Sequence, residues 1–368
     1  MASIKSLLFA VAVMTAVLQS CIDRSEPIAP VITRSGLIAE QFETTVDNSP
    51  ISLYTLINSD STEVCISNLG SRIVSLSVDD RDGSPRNIVL GFDSIRQYID
   101  SDIAYRRIGA IAGPYFGSRN VTDGDKWLNS AFTATHHSDS SLTLVHTDSV
   151  SYAPGKIAIR IDYHLRDNNT LVIDYTAATD TAIEFSPAQN LYFNLNGNSS
   201  VSVDNHMVRL NSRQIVDFDS LGNATGQLLM TAWTPMNVRN ARKIGSLNNA
   251  RTPQIRWIGG LNNHWMLDRT GKLLPYAARL WSSESGIALD ILTSEPIINL
   301  RAANEFDSTV NGRDSITIAR RSAIMIMPHQ YPDAARHPQW SSPILHKGEV
   351  YHQRTSYALS TFEGESPE

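Results

Sequence analysis

Ile157-Ala158-Ile159-Arg160-Ile161-Asp162-Tyr163-His164-Leu165-Arg166 alternates apolar and polar residues without a break. Successive side chains of a β-strand point to opposite faces, so this stretch predicts a strand with one apolar face. Asp167-Asn168-Asn169 follows, and these residue types favour a tight turn. Residues 171–177 then resume the alternation, which predicts a hairpin with one buried face. Similar short runs occur at residues 63–66, 142–146, 201–203, 288–292 and 315–319. Helical periodicity is scarce, and only residues 94–99 predict a short turn of helix. Many short strands between polar turns point to an all-β chain folded as an antiparallel sandwich.

The composition narrows the classes of partner. The chain has 368 residues, 42% of them hydrophobic, enough for a large core. Its formal net charge is −6, and no run of Lys or Arg stands out, which argues against nucleic acid. There is no Gly-rich phosphate loop, and two cysteines cannot build a zinc ribbon, so no cofactor or metal is expected. His136-His137 is a poor chelate, because neighbours on a strand point to opposite faces. His206 is expected to be structural. Asn120-Val121-Thr122 and Asn223-Ala224-Thr225 match glycosylation sequons and are read as surface turns.

The N-terminus reads as an export signal. Lys5 precedes an apolar run from Leu7 to Leu18, too short for a comfortable membrane span. The run ends in Leu18-Gln19-Ser20-Cys21, which resembles a bacterial lipobox with Gln19 in place of the usual small residue. The expectation is a signal peptide at 1–20, lipidation of Cys21, a polar tether to residue 36 and one β-sandwich domain over 37–368. The competing reading is an ordinary signal peptide that happens to contain a cysteine. Lipidation would place the protein at the bacterial cell envelope, on the membrane through its anchor only, and would leave Cys65 without a disulfide partner.

Specific segments go further than periodicity. Leu53-Tyr54-Thr55-Leu56-Ile57-Asn58 leads into Glu63-Val64-Cys65-Ile66-Ser67-Asn68-Leu69-Gly70, and then Ile88-Val89-Leu90-Gly91-Phe92-Asp93-Ser94. Next come Ile108-Gly109-Ala110-Ile111-Ala112-Gly113, Tyr192-Phe193-Asn194-Leu195-Asn196-Gly197, Gly259-Gly260 and Tyr331-Pro332-Asp333. In order and spacing these motifs resemble the aldose 1-epimerases, or galactose mutarotases, over most of the chain. The resemblance implies an antiparallel β-supersandwich with a sugar cleft on one face, and a hexose or glycan as ligand.

The family interconverts hexose anomers with a glutamate base and a histidine acid. A second histidine, an arginine and an aspartate help hold the sugar. Positioned proton transfer of this kind contributes ~10²–10⁴ in rate. Carried onto this chain, the acid position is Asn190 and the base position is Met327. The aspartate position is Asn262 and the arginine position is Pro114. The interval 117–132 has no histidine and is too short for the family's histidine loop. Neither a thioether nor an amide exchanges protons usefully at neutral pH.

The leading expectation is therefore a carbohydrate-binding pseudoenzyme, with Tyr115, Trp127, Tyr192 and Trp265 as candidate stacking surfaces or core residues. The second is an active mutarotase with relocated groups. His264 and His329 lie two residues from Asn262 and Met327, on the same strand faces, and could form a substitute acid/base pair; otherwise they are ordinary strand residues. The third is a scaffolding protein with an exposed apolar patch and no sugar site.

Overall fold

The computed structural model describes residues 30–115, 125–149, 155–269 and 271–364. Cys21, the signal segment, Asn120 and residues 117–124 of the interval 117–132 lie outside the described residues. The chain divides into two units, Met1–Val31 and Ile32–Glu368. The second unit is built from antiparallel sheets and is the expected all-β sandwich.

The opening hairpin forms as read. Lys156–Arg166 pairs with Thr170–Thr179, with Ile161 opposite Tyr175 and Arg166 opposite Thr170. Ile157, Ile159, Ile161, Tyr163 and Leu165 are buried, while the residues between them face outward. Asn169 supplies the turn with a φ of 55°, a conformation that Asn tolerates better than most residues. The hairpin sits in a nine-stranded sheet that also contains Val350–Thr361, Ile287–Thr293 and Tyr276–Trp281.

A six-stranded sheet carries Asn262, His264, Met327 and His329. Its strands are β1 (Tyr192–Phe193), β2 (Ser212–Phe218), β3 (Ala224–Met230), β4 (Asn262–Leu267), β5 (Ile297–Ala302) and β6 (Ile324–His329). Their spatial order is β1-β6-β5-β4-β2-β3. One face sends Ile324, Ile326, Ile298, Leu300, Trp265 and Leu267 into a core shared with the hairpin's apolar face. That core also takes Leu56, Val64, Ile66, Ile73 and Leu76 from a four-stranded sheet. The opposite face carries the residues of the candidate site.

A single fully buried arginine ties the segments beside this sheet together. Arg72 donates to the carbonyls of Arg106, Ile108 and Leu128, at 2.7, 2.5 and 3.0 Å, with its guanidinium 4.3 Å from the Tyr98 ring centroid. Burial draws its pKa down to about 10, still charged at neutral pH.

Several expectations are corrected. Residues 201–203 and 315–319 do not form strands. Asp314 and Ser315 have φ of 55° and 57°, outside the extended region, and the two segments are held by isolated bonds such as Ala319 N–H to Ser199 O at 2.8 Å. Residues 94–99 do nucleate a helix, Ile95–Asp100, with the Ser94 N–H donating to Gln97 Oε1 at 3.1 Å. Residues 33–36, assigned to the tether, pack on the domain: Arg34 and Ser35 N–H groups donate to the buried Glu63 carboxylate at 2.7 and 2.9 Å.

The aromatic assignments change most. Trp265 is wholly buried, on the core face of β4, with its indole N–H donating to Met236 O at 3.2 Å. It follows His264 directly, so the two cannot share a face. Trp127 is equally buried and donates to Asp148 at 2.9 Å. Tyr115 and Tyr192 are also buried, so none of the four presents an open ring face. We expect Trp265→Ala to lower the unfolding free energy by about 3–5 kcal/mol, as cavity formation does at a large buried aromatic. Urea denaturation checks this, and a loss below about 1 kcal/mol would be at odds with a core position.

Candidate functional site

The register of the six-stranded sheet arranges its second face in rows. Tyr192, Met325, Arg301 and Asn262 are successive partners across β1, β6, β5 and β4. Met327, Asn299 and His264 form the next row, and His329, Ile297 and Met266 the one after. The period of two puts His264 with Asn262 and His329 with Met327, as the sequence predicted, and strand pairing brings the two pairs onto one face.

Met327 and Asn190, which the sequence reading assigned to the base and acid positions, are both held structurally. Met327 has no exposed surface and packs in an apolar cluster with Met325, Tyr192, Ala188 and Phe306. Asn190 is buried, and its side-chain amide and backbone N–H both donate to Ala110 O at 3.0 Å. Pro114 is linked to the end of β6 through Ser186. The Ser186 N–H donates to Pro114 O at 2.9 Å, and Ser186 Oγ accepts from the Gln330 N–H at 3.2 Å. Asn262 is partly exposed, and its Oδ1 accepts from Asn299 Nδ2 at 3.0 Å.

His264 and His329 meet on this face. Their ring nitrogens Nδ1 and Nε2 lie 2.9 Å apart, and the rings cross edge to face at 4.9 Å. The bond spans β5, which lies between their strands. Phe218 covers His264 at 5.1 Å between ring centroids. Burial drives the His329 pKa down to about 3. Burial, then the neighbouring His329 and Arg301 charges, push His264 well below its ordinary value. At pH 7 a group with a pKa of about 3 is protonated in roughly one molecule in 10⁴, which leaves no useful acid. The pair is adjacent, as the relocated-histidine reading requires, but it is held neutral.

Charged groups that the sequence reading missed lie beside the first row. Arg301 Nη2 sits 3.1 Å from Glu305 Oε1, which also accepts from the Tyr192 hydroxyl at 2.7 Å. Burial and the Glu305 carboxylate keep that hydroxyl protonated. Arg107 forms a bidentate pair with Asp125 at 2.7 and 2.6 Å, within electrostatic reach of Tyr192. The available signal was a lone charged residue alternating with Ile298, Leu300 and Ala302 in the strand Ile297–Ala302. Gln330, next to His329, donates to Glu295 at 2.7 Å, and Tyr351 donates to the same carboxylate at 2.8 Å. Burial raises the Glu295 pKa to about 7.

The other histidines stand apart from this site. His136 and His137 are exposed and bond separately to Ser141 and to the Thr55 carbonyl. His206 is buried, and its Nε2 accepts from the Leu195 N–H at 3.0 Å. Among the described residues no group of three or more His, Cys, Asp or Glu side chains is placed to hold a metal ion.

The buried histidines set a pH dependence of stability. Their folded pKa values lie below the unfolded value near 6.5, so the unfolded chain binds more protons as pH falls below 6.5. Each then loses up to about 1.4 kcal/mol of stability per pH unit until its folded pKa is reached. Glu295 acts in the opposite sense, gaining stability as pH falls from about 7 towards its unfolded value. We therefore expect a His264→Gln, His329→Gln double variant to lose less stability than the parent between pH 6.5 and pH 5. Urea titrations at the two pH values measure the difference, and equal losses would be incompatible with a neutral buried pair.

Comparison with known proteins agrees with this geometry. The aldose 1-epimerase family model matches residues 52–358. Galactose mutarotase from Sus scrofa is 23% identical over 324 residues, covering 83% of this chain and 93% of the pig protein. Aldose 1-epimerase from Escherichia coli K12 is 26% identical over 334 residues, covering 84% and 96%. Among solved structures, a GalM/aldose epimerase homologue from C. elegans superposes with a TM-score of 0.75 at 22% identity, covering 85% of this chain and 100% of the other. Galactose 1-epimerase from Lactobacillus acidophilus gives 0.73 at 20% identity, covering 87% and 97%. With ordered motifs along the chain, a matching sandwich and a family match over residues 52–358, the protein belongs to the aldose 1-epimerase family.

Proposed function

We propose that this protein binds carbohydrate without catalysing anomer exchange through the family's glutamate and histidine. The observation that carries the reading is Met327, sealed in an apolar cluster at the base position. Asn190, at the acid position, supports it, because its amide is spent on Ala110 O. Ring opening needs one group to take the anomeric proton and another to protonate the ring oxygen. Neither side chain can do either. The neutral histidine pair does not replace them, since it offers no populated acid near pH 7.

Binding, unlike proton transfer, needs only positioned polar groups. Arg301 and Asn262 remain partly exposed in the middle of the sheet face. Asn299, wholly inside, holds Asn262 in place. The proposal includes attachment to the bacterial cell envelope through lipid on Cys21. Export and lipidation rest on the sequence of the leader.

A scaffolding role is the second reading. It is favoured by Leu229 and Met230 on β3, a strand at the end of its sheet, and by the fully exposed Trp233 that follows. Apolar groups on an edge strand are a common site of protein contact.

Polarimetry with freshly dissolved α-D-glucose and α-D-galactose tests the catalytic half of the proposal. We expect mutarotation within about twofold of buffer, where positioned acid/base catalysis would give ~10²–10⁴. A clear acceleration would overturn it. Calorimetric titration with hexoses and uronic acids tests the binding half. Retention of no sugar at millimolar concentration would favour the scaffold instead.

A further inference from the structure

The central row of the sheet face is rich in hydrogen-bond donors, from Arg301 and Asn262. Arg301 lies between Met325 and Asn262, with its side chain 26% exposed. Glu305 is the sole polar partner of its guanidinium among the described residues, through Nη2. A guanidinium carries five N–H donors and no acceptor, so most of its capacity is unused.

Asn262 adds to this bias. Its acceptor Oδ1 is taken by Asn299 Nδ2, and among the described residues its own amide N–H groups have no partner. Tyr192, at the other end of the row, spends its hydroxyl proton on Glu305. Glu305 in turn has Oε1 committed to both Tyr192 and Arg301. The groups left for a ligand are mainly N–H donors, with Glu305 Oε2 as the remaining acceptor, around a guanidinium held in place by its counter-ion.

A neutral sugar hydroxyl both donates and accepts, and would find few acceptors here. A carboxylate only accepts, and its two oxygens match the fork of a guanidinium. Resting on the reading of this face as a carbohydrate site, we propose that the sugar it recognises carries a carboxylate, a uronic acid residue held by Arg301 with support from the Asn262 amide. The groups facing Arg301 are compatible with an added negative charge. Glu305 is balanced by Arg301 itself, Asp125 is paired with Arg107, and His264 and Asn299 are uncharged.

Calorimetric titration of the full chain with D-galacturonate and D-glucuronate, against D-galactose and D-glucose, tests this. We expect a uronate to bind at least about tenfold more tightly than its neutral hexose, the scale of one charge-assisted bidentate contact. The preference should weaken as salt is raised from 50 to 300 mM. Arg301→Gln should abolish the preference, and Arg301→Lys should keep part of it. Circular dichroism of each variant separates loss of the fork from loss of the fold. Equal binding of uronate and hexose, or a preference that survives in folded Arg301→Gln, would overturn the carboxylate assignment and leave sugar binding standing. Binding of neither class by the parent protein would overturn the carbohydrate reading itself, and this inference with it.

Discussion

Everything at the candidate site depends on the two-residue alternation of one six-stranded sheet. Ile324 and Ile326 enter the core, so Met325, Met327 and His329 must face the other way. Trp265 and Leu267 do the same on β4, which commits Asn262 and His264 to the second face. A slip of one residue would take four large apolar side chains out of the core and put polar ones in their place, so the register is strongly specified. The constraint that builds the core is thus the one that aims the site. It also leaves one face of a strand free to vary without altering the other.

Burial then decides what the aimed residues can do. His264 and His329 lie within hydrogen-bond distance, a geometry that would suggest an acid/base pair in an open cleft. Sealed under Phe218 and packed between strands, they stay neutral, because desolvation penalises the imidazolium more than any neighbour repays it. Arg72 shows the opposite solution. It is fully buried and yet charged, because three carbonyls and an aromatic face replace its water. Arg301 lies between these cases, partly exposed and with one counter-ion.

The limits of the sequence reading can be traced to particular residues. The hairpin at 157–177 was legible because its alternation is strict and its turn contains Asn169. Residues 201–203 and 315–319 alternate just as well but are too short to impose a strand, and positive φ at Asp314 and Ser315 breaks the second. Trp265 was placed in the cleft by residue type, although its position beside His264 already assigned it to the opposite face. Arg301 was overlooked because a single arginine in a buried strand carries no motif. Its importance comes from Asn262 and Met325, which are distant in sequence.

The amino-acid sequence by itself determined the β class and the family. Those properties reside in neighbouring residues or in ordered motifs, and they need no knowledge of which strands meet. Tertiary structure alone decided that His264 and His329 bond across β5, that Met327 is sealed rather than open, and that Arg301 shares its row with Asn262 and Tyr192. Each of those facts depends on pairing between segments tens of residues apart. Such pairing is set by the packing of the whole sandwich, where alternation says which way a side chain points but not what it will find there.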